Sequence, residues 1–154
     1  MHLFKAGLLT TLLLLVSNFG LASEVQTVHI FHTDANQVII DRNLSYSVQL
    51  TIYNMDTKAK TDRRLNELVT ARLKPGFEIN LRESYGEAFN KVLNSPEWNG
   101  IYAGLGEYAN AVEHAIKYKI EKHPAIMING REIIYGVNSL REGLEIYKKK
   151  ANKL

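Results

Sequence analysis

The 154-residue chain contains no cysteine. That absence removes structural disulfides, thiolate-ligated zinc, iron–sulfur clusters, thiol nucleophiles and Cys-x-x-Cys redox chemistry. It also argues against a lipid-anchored lipoprotein, whose first mature residue is a cysteine. An excess of charge of one sign is missing too. There are 19 Lys and Arg against 16 Asp and Glu, a formal net charge of +3, without the basic stripe that nucleic-acid binding needs. Direct binding of nucleic acid is therefore not expected. Low-complexity tracts are absent, and 45% apolar with 23% charged residues describes a chain that folds. At this length a core without disulfide or metal staples is expected.

Recognisable catalytic signatures are equally scarce. Ser17, Ser23, Ser45, Ser47, Ser84, Ser95 and Ser139 lack a Gly-x-Ser-x-Gly elbow, and no phosphate-binding loop, dinucleotide fingerprint or zincin helix occurs. Gly104-Leu105-Gly106 lacks the strand context of a nucleotide site and is expected to be a turn or kink. The three prolines, Pro75, Pro96 and Pro124, each stand where a periodic pattern breaks.

No hydrophobic run is long enough to span a bilayer. The Leu-rich stretch Ala6–Val16 follows Lys5 and leads to a more polar exit, Ser17–Ala22. About a dozen apolar residues fall short of the roughly 20 a spanning helix requires. The pattern is that of an export signal, residues 1–22, with small residues Gly20 and Ala22 placing cleavage after Ala22. The expectation is a periplasmic protein of a Gram-negative bacterium, without a stable membrane anchor after cleavage, whose residues 23–154 form a single domain.

Alternation predicts strands at Val25–His32 and at Val48–Tyr53, with Val48, Leu50 and Ile52 on one face. Thr33-Asp34-Ala35-Asn36 is turn chemistry, and Gln37–Ser47 is ambiguous. From Lys58 to Glu121 the spacing is helical. Leu65, Leu68, Val69 and Leu73 share a face ended by Pro75-Gly76. Leu81, Tyr85, Ala88, Phe89 and Val92 form a second stripe, opened by a capping box of Asn80 and Glu83 and closed near Pro96. Tyr108, Val112, Ile116 and Ile120, with Ala111 and Ala115, form a third. All three are expected to be core stripes.

The last quarter reads as a hairpin and a helix. Pro124–Ile128 is apolar, Asn129-Gly130 is a strong hairpin turn signal, and Arg131–Tyr135 returns. Ser139 and Glu142 cap a helix bearing Leu140, Leu144 and Tyr147, with Lys148–Lys150 in its last turn complementing the dipole. Proline disfavours helix in the residue before it, so the third helix should end near Lys122.

Strand, strand, helical block, hairpin and helix is the element order of a thioredoxin-like domain. The fold expected is α/β, a central mixed sheet of about four strands with flanking helices. His123-Pro124 stands where that fold carries a cis-proline. The stretch Lys122–Leu144, with its Pro124-Ala125, apolar run, turn, Tyr135-Gly136 and helix, resembles the signature of small exported proteins encoded by integrating conjugative elements. These are a family of unknown function with a thioredoxin-like fold. The likeness extends over most of residues 23–154.

The resemblance implies a periplasmic accessory of a conjugative type IV secretion apparatus, partnered by other proteins of that apparatus. It implies no catalytic mechanism. Fold alone does not license a redox role, since His32-Thr33-Asp34-Ala35-Asn36 holds no cysteine pair. In such a fold, Thr33 and Asp34 would face His123 and Pro124, making these four the candidate partner-binding residues. An extended peptide could pair there by strand addition, with Trp98, Tyr102 and Tyr108 extending the surface. The expected protein is a non-enzymatic scaffold or adaptor without cofactor. The alternative is a metal-binding or redox-related protein using His32, Asp34 and His123, since imidazole and carboxylate are competent zinc or copper ligands. His29 is excluded from that set, because i and i+3 on a regular strand point to opposite faces.

Overall fold

The computed structural model describes residues 24–41, 43 and 48–153. The expected export signal and its cleavage point lie outside them. Strands β1 (Thr27–His32) and β2 (Gln49–Asn54) are followed by helices α1 (Thr57–Thr70), α2 (Leu81–Leu93) and α3 (Trp98–Lys117). Then come β3 (Ala125–Ile128), β4 (Glu132–Tyr135) and helix α4 (Leu140–Ala151). The four strands form one mixed sheet of order β2-β1-β3-β4. β1 runs parallel to β2 and antiparallel to β3, and β3 is antiparallel to β4.

The two central strands are apolar because both faces of the sheet are covered. On one face Val28, Ile30, Ile126, Ile128 and Ile134 pack against Leu140, Leu144 and Tyr147 of α4. On the other, Phe31, Tyr53 and Ala125 meet Ala111 and Ala115 of α3. A third cluster, Leu68, Val69, Ala88, Val92 and Ile101, is built by the three central helices among themselves.

The hairpin forms as its turn residues require. Asn129 and Gly130 both have positive φ, 51° and 65°, the signature of a type I′ turn whose twist matches the strands. Asn129 does more than turn the chain. Its Oδ1 accepts the main-chain N–H groups of Gln26 and Thr27, and its Nδ2 donates to the Glu24 carbonyl. One side chain thus pins the start of β1 to the hairpin. On the α4 side, Ile39 bridges to Ser139, its carbonyl accepting the Leu140 N–H.

Several expectations are corrected. α3 is a continuous 20-residue helix through Gly104 and Gly106, so those glycines mark no turn. A Cβ on Gly104 would lie 2.4 Å from Thr61 Oγ1, and the missing side chain lets α1 and α3 approach. The buried face of α3 is Ile101, Ala111 and Ala115, whereas Ile116 is 73% exposed. Small alanines face the sheet because a helix seated close to it leaves no room for isoleucine.

The α2 stripe is similarly half outside, with Ala88 and Val92 buried but Leu81, Tyr85 and Phe89 exposed. In β2, an edge strand, Ile52 is exposed and Tyr53 is buried. Neither expected capping box forms its side-chain bond, since Asn80 and Ser139 occupy the cap positions without one.

α3 also ends at Lys117, five residues before the position that Pro124 suggested. The reason is a Schellman closure. Lys119 adopts positive φ, Ile120 N–H bonds the Ala115 carbonyl at 2.8 Å, and Lys119 N–H bonds Ile116. The apolar Ile120 then packs into the cluster of Phe31 and Ala115.

Candidate functional site: the cis His123-Pro124 corner

The peptide bond between His123 and Pro124 is cis. Pro124 is buried, and its carbonyl accepts the Gly136 N–H at 3.1 Å, extending the hairpin ladder by one bond. Among the described residues, neither the N–H nor the carbonyl of His123 has a main-chain partner. Its Nδ1 is buried without a hydrogen bond. A buried polar atom left unpaired costs free energy, so its presence here needs a reason. Burial pushes the His123 imidazole below its ordinary value, Asp56 opposes this, and the nearby His32 adds to the fall.

β1 delivers His32, Thr33 and Asp34 to the same end of the sheet, because it runs antiparallel to β3 with Phe31 opposite Ala125, the residue after Pro124; there His32 also lies opposite Asn54 of β2. The turn after β1 is held locally, with Asn36 N–H donating to both the carbonyl and the hydroxyl of Thr33 and His32 Nδ1 3.0 Å from the Thr33 carbonyl. Asp34 is fixed by residues that sequence reasoning did not single out. Its Oδ1 accepts from Asn54 Nδ2 at 2.8 Å and from Lys60 Nζ at 2.7 Å, while its N–H donates to Asp56 Oδ2 at 2.8 Å. Those two donors, Lys60 foremost, hold the Asp34 carboxyl below the usual carboxylate range.

Asp56 is the N-cap residue of α1, yet its side chain makes no capping bond. The carboxylate goes to the Asp34 N–H instead. Asn54 completes the corner, its Oδ1 accepting the Asp56 N–H and its carbonyl accepting the Thr57 hydroxyl. The signal that could have exposed this group was Asn54-Met55-Asp56-Thr57, a strand end followed by helix-opening residue types.

His32 and Asp56 are thus both within electrostatic reach of His123, while the Asp34 carboxylate is bonded to Lys60. Among the described residues, no group of three or more histidine or acidic side chains is placed to hold a metal ion. His32, Asp34 and His123 are not in such a group here, and the Asp34 carboxylate is engaged by Lys60 and Asn54. Of the aromatic residues considered as extensions, Trp98 packs against the cluster of the central helices and Tyr102 is 70% exposed on α3. Tyr108 is half-buried.

The corner has hydrogen-bonding groups held by their neighbours: Asp34 by Asn54, Lys60 and Asp56, and Thr33 by Asn36. Such an arrangement is suited to holding an extended chain. The family model described as "Protein of unknown function (DUF1525)" matches residues 23–152. The chain belongs to the DUF1525 family. No curated protein and no solved structure matches it. In this DUF1525 chain, no helix among the described residues is long and apolar enough to cross a membrane.

Proposed function

We propose that this DUF1525 protein is an exported, non-enzymatic adaptor of a conjugative DNA-transfer apparatus, and that it holds an extended segment of another apparatus protein at the His123-Pro124 corner. The observation that carries the binding mode is the unpaired main chain of His123 beside a cis bond. An N–H and a carbonyl free on one residue pair with an extended strand, and the orphaned Nδ1 offers a third contact. Thr33 and Asp34 form the opposite lip.

A thioredoxin-like arrangement is part of this reading. Its support is the strand order β2-β1-β3-β4 with a parallel first pair, and a cis-proline immediately before β3. The place in conjugation and in the periplasm is supported by the Leu-rich N-terminal stretch and the resemblance around Pro124.

Site-specific photocrosslinking from position 33 in the native host, followed by identification of the captured protein, tests both parts. A transfer-apparatus protein whose capture falls about tenfold or more in a His123→Ala variant is the expected result. Capture that is unaffected by that change would remove the site, and captured proteins unrelated to transfer would remove the role.

A further inference from the structure

A second set of titratable rings lies on the sheet face turned toward α3, outside the His123 corner. His29 of β1 and Tyr53 of β2 stand with their ring centroids 5.9 Å apart. His114 of α3 stacks on both, at 6.0 Å from His29 and 5.1 Å from Tyr53. Tyr118, the C-cap of α3, closes the group at 5.7 Å from His29 and 5.9 Å from His114. His29 Nδ1 lies 3.3 Å from the Tyr53 hydroxyl, and His114 Nδ1 lies 3.0 Å from the Asn110 carbonyl, to which it donates.

The charges that act on His29 itself, from His114 and Lys117, are positive. Lys117 Nζ sits 5.0 Å above the Tyr118 ring. His114 and Lys117 both act on His29, and with burial they hold its imidazole below the ordinary value. Tyr53, itself held above the ordinary phenol value by burial, Tyr118 and Glu113, supplies no negative charge near neutral pH. On the β3 side the register neighbour of His29 is Met127, which is apolar. Among the described residues the groups acting on His29 include no carboxylate, and Glu113 is felt at Tyr53.

We propose that His29, packed against the rings of His114, Tyr53 and Tyr118, is a proton-operated latch. With His29 neutral, the ring group clamps the C-terminal end of α3 to β1 and β2. As His29 takes up a proton it releases that end, together with the Tyr118–His123 segment that leads to the cis bond. An imidazolium at His29, stacked under His114 and near Lys117, is unfavourable in a partly buried setting where water screens poorly. The structure that gives way is the helix closure itself, the bonds from Tyr118, Lys119 and Ile120 N–H to the carbonyls of His114, Ile116 and Ala115. This inference stands on the ring geometry and does not depend on what the His123 corner binds.

Amide hydrogen-exchange protection in the full chain tests it, with the imidazoles followed by NMR. Protection at Tyr118, Lys119 and Ile120 is expected to fall about tenfold between about pH 7.5 and about pH 5, while Met127 keeps its protection. His29→Gln should abolish that fall, and His32→Gln and His123→Gln should leave it intact. Lys117→Gln, at an exposed position, should move the midpoint to higher pH by removing a charge that resists protonation of His29. Constant protection across the range would overturn the latch. So would a fall that survives in His29→Gln, or a midpoint that Lys117→Gln leaves in place.

Discussion

The hairpin with α4 and the helical block from Thr57 to Lys117 are both amphipathic, but they are buried by different means. Under α4 the core is made of large side chains, with Ile126, Ile128 and Leu140 essentially without exposure. In the helical block Leu68, Val69, Val92 and Ile101 are buried too, but the closest approaches fall on Gly104 against α1 and on Ala111 and Ala115 against the sheet, while Phe89 and Ile116 stay largely outside. The difference teaches that apolar spacing identifies a helix, whereas the size of the residues decides which face can be brought close to a neighbour.

The largest effect is expected in the sheet core. Phe31→Ala should cost about 3–5 kcal/mol, read from urea unfolding, because the ring is fully buried and its cavity has walls on both sides. Asn129→Ala should cost about 1–3 kcal/mol, since it strips acceptors from Gln26 and Thr27 and places alanine at positive φ. Asn129→Gly, free of the φ penalty, should cost less. Equal losses in the two variants would show that the side-chain bonds are all that matters there.

In the helical block the close approach can be probed directly. Gly104→Ala should destabilise by about 1–3 kcal/mol despite the better helix propensity of alanine. The clash is with a Thr61 hydroxyl tied to the Thr57 carbonyl at 2.8 Å. Adding Thr61→Ala should recover most of that loss, and two additive losses would erase the argument from size.

A gentler probe is pH. The folded chain holds His29 and His123 below their ordinary values, so the unfolded chain binds more protons across that interval. Their contribution is complete above about pH 6.5 and declines as pH falls through it toward the folded-state values. The urea midpoint should be lower at about pH 5.5 than at about pH 7.5, less so in a His29→Gln, His123→Gln double variant. A midpoint that rises on acidification would reverse the assignment. The smallest effect belongs to Ile116→Ala, within about 0.5 kcal/mol, because the side chain touches mostly water. A loss of about 2 kcal/mol would place Ile116 on a buried face and dissolve the comparison.

Legibility followed the range of the forces involved. The hairpin was readable because Asn129-Gly130 acts within its own turn, and α4 because Leu140, Leu144 and Tyr147 bury one regular face. The site was readable in part. The expectation of a thioredoxin-like arrangement, in which the end of β1 faces the proline loop, pointed to Thr33, Asp34, His123 and Pro124. Asn54, Asp56 and Lys60 were not marked, since their partnership with Asp34 exists only once β2 lies beside β1. His114 escaped for the same reason, being 85 positions from His29 in the chain and 6.0 Å from it across the sheet and α3.

The sequence by itself determined the exclusion of thiol chemistry, the elements and their order, the hairpin turn and the helix that covers it, because composition and local dihedral preference act without a partner. The tertiary structure alone decided which faces of α2 and α3 are buried and that Asp34 is taken up by Lys60. It also left His123 unpaired beside its cis bond. Each of these depends on distances between residues remote in the chain, which side-chain size and charge can set only once the elements are packed together.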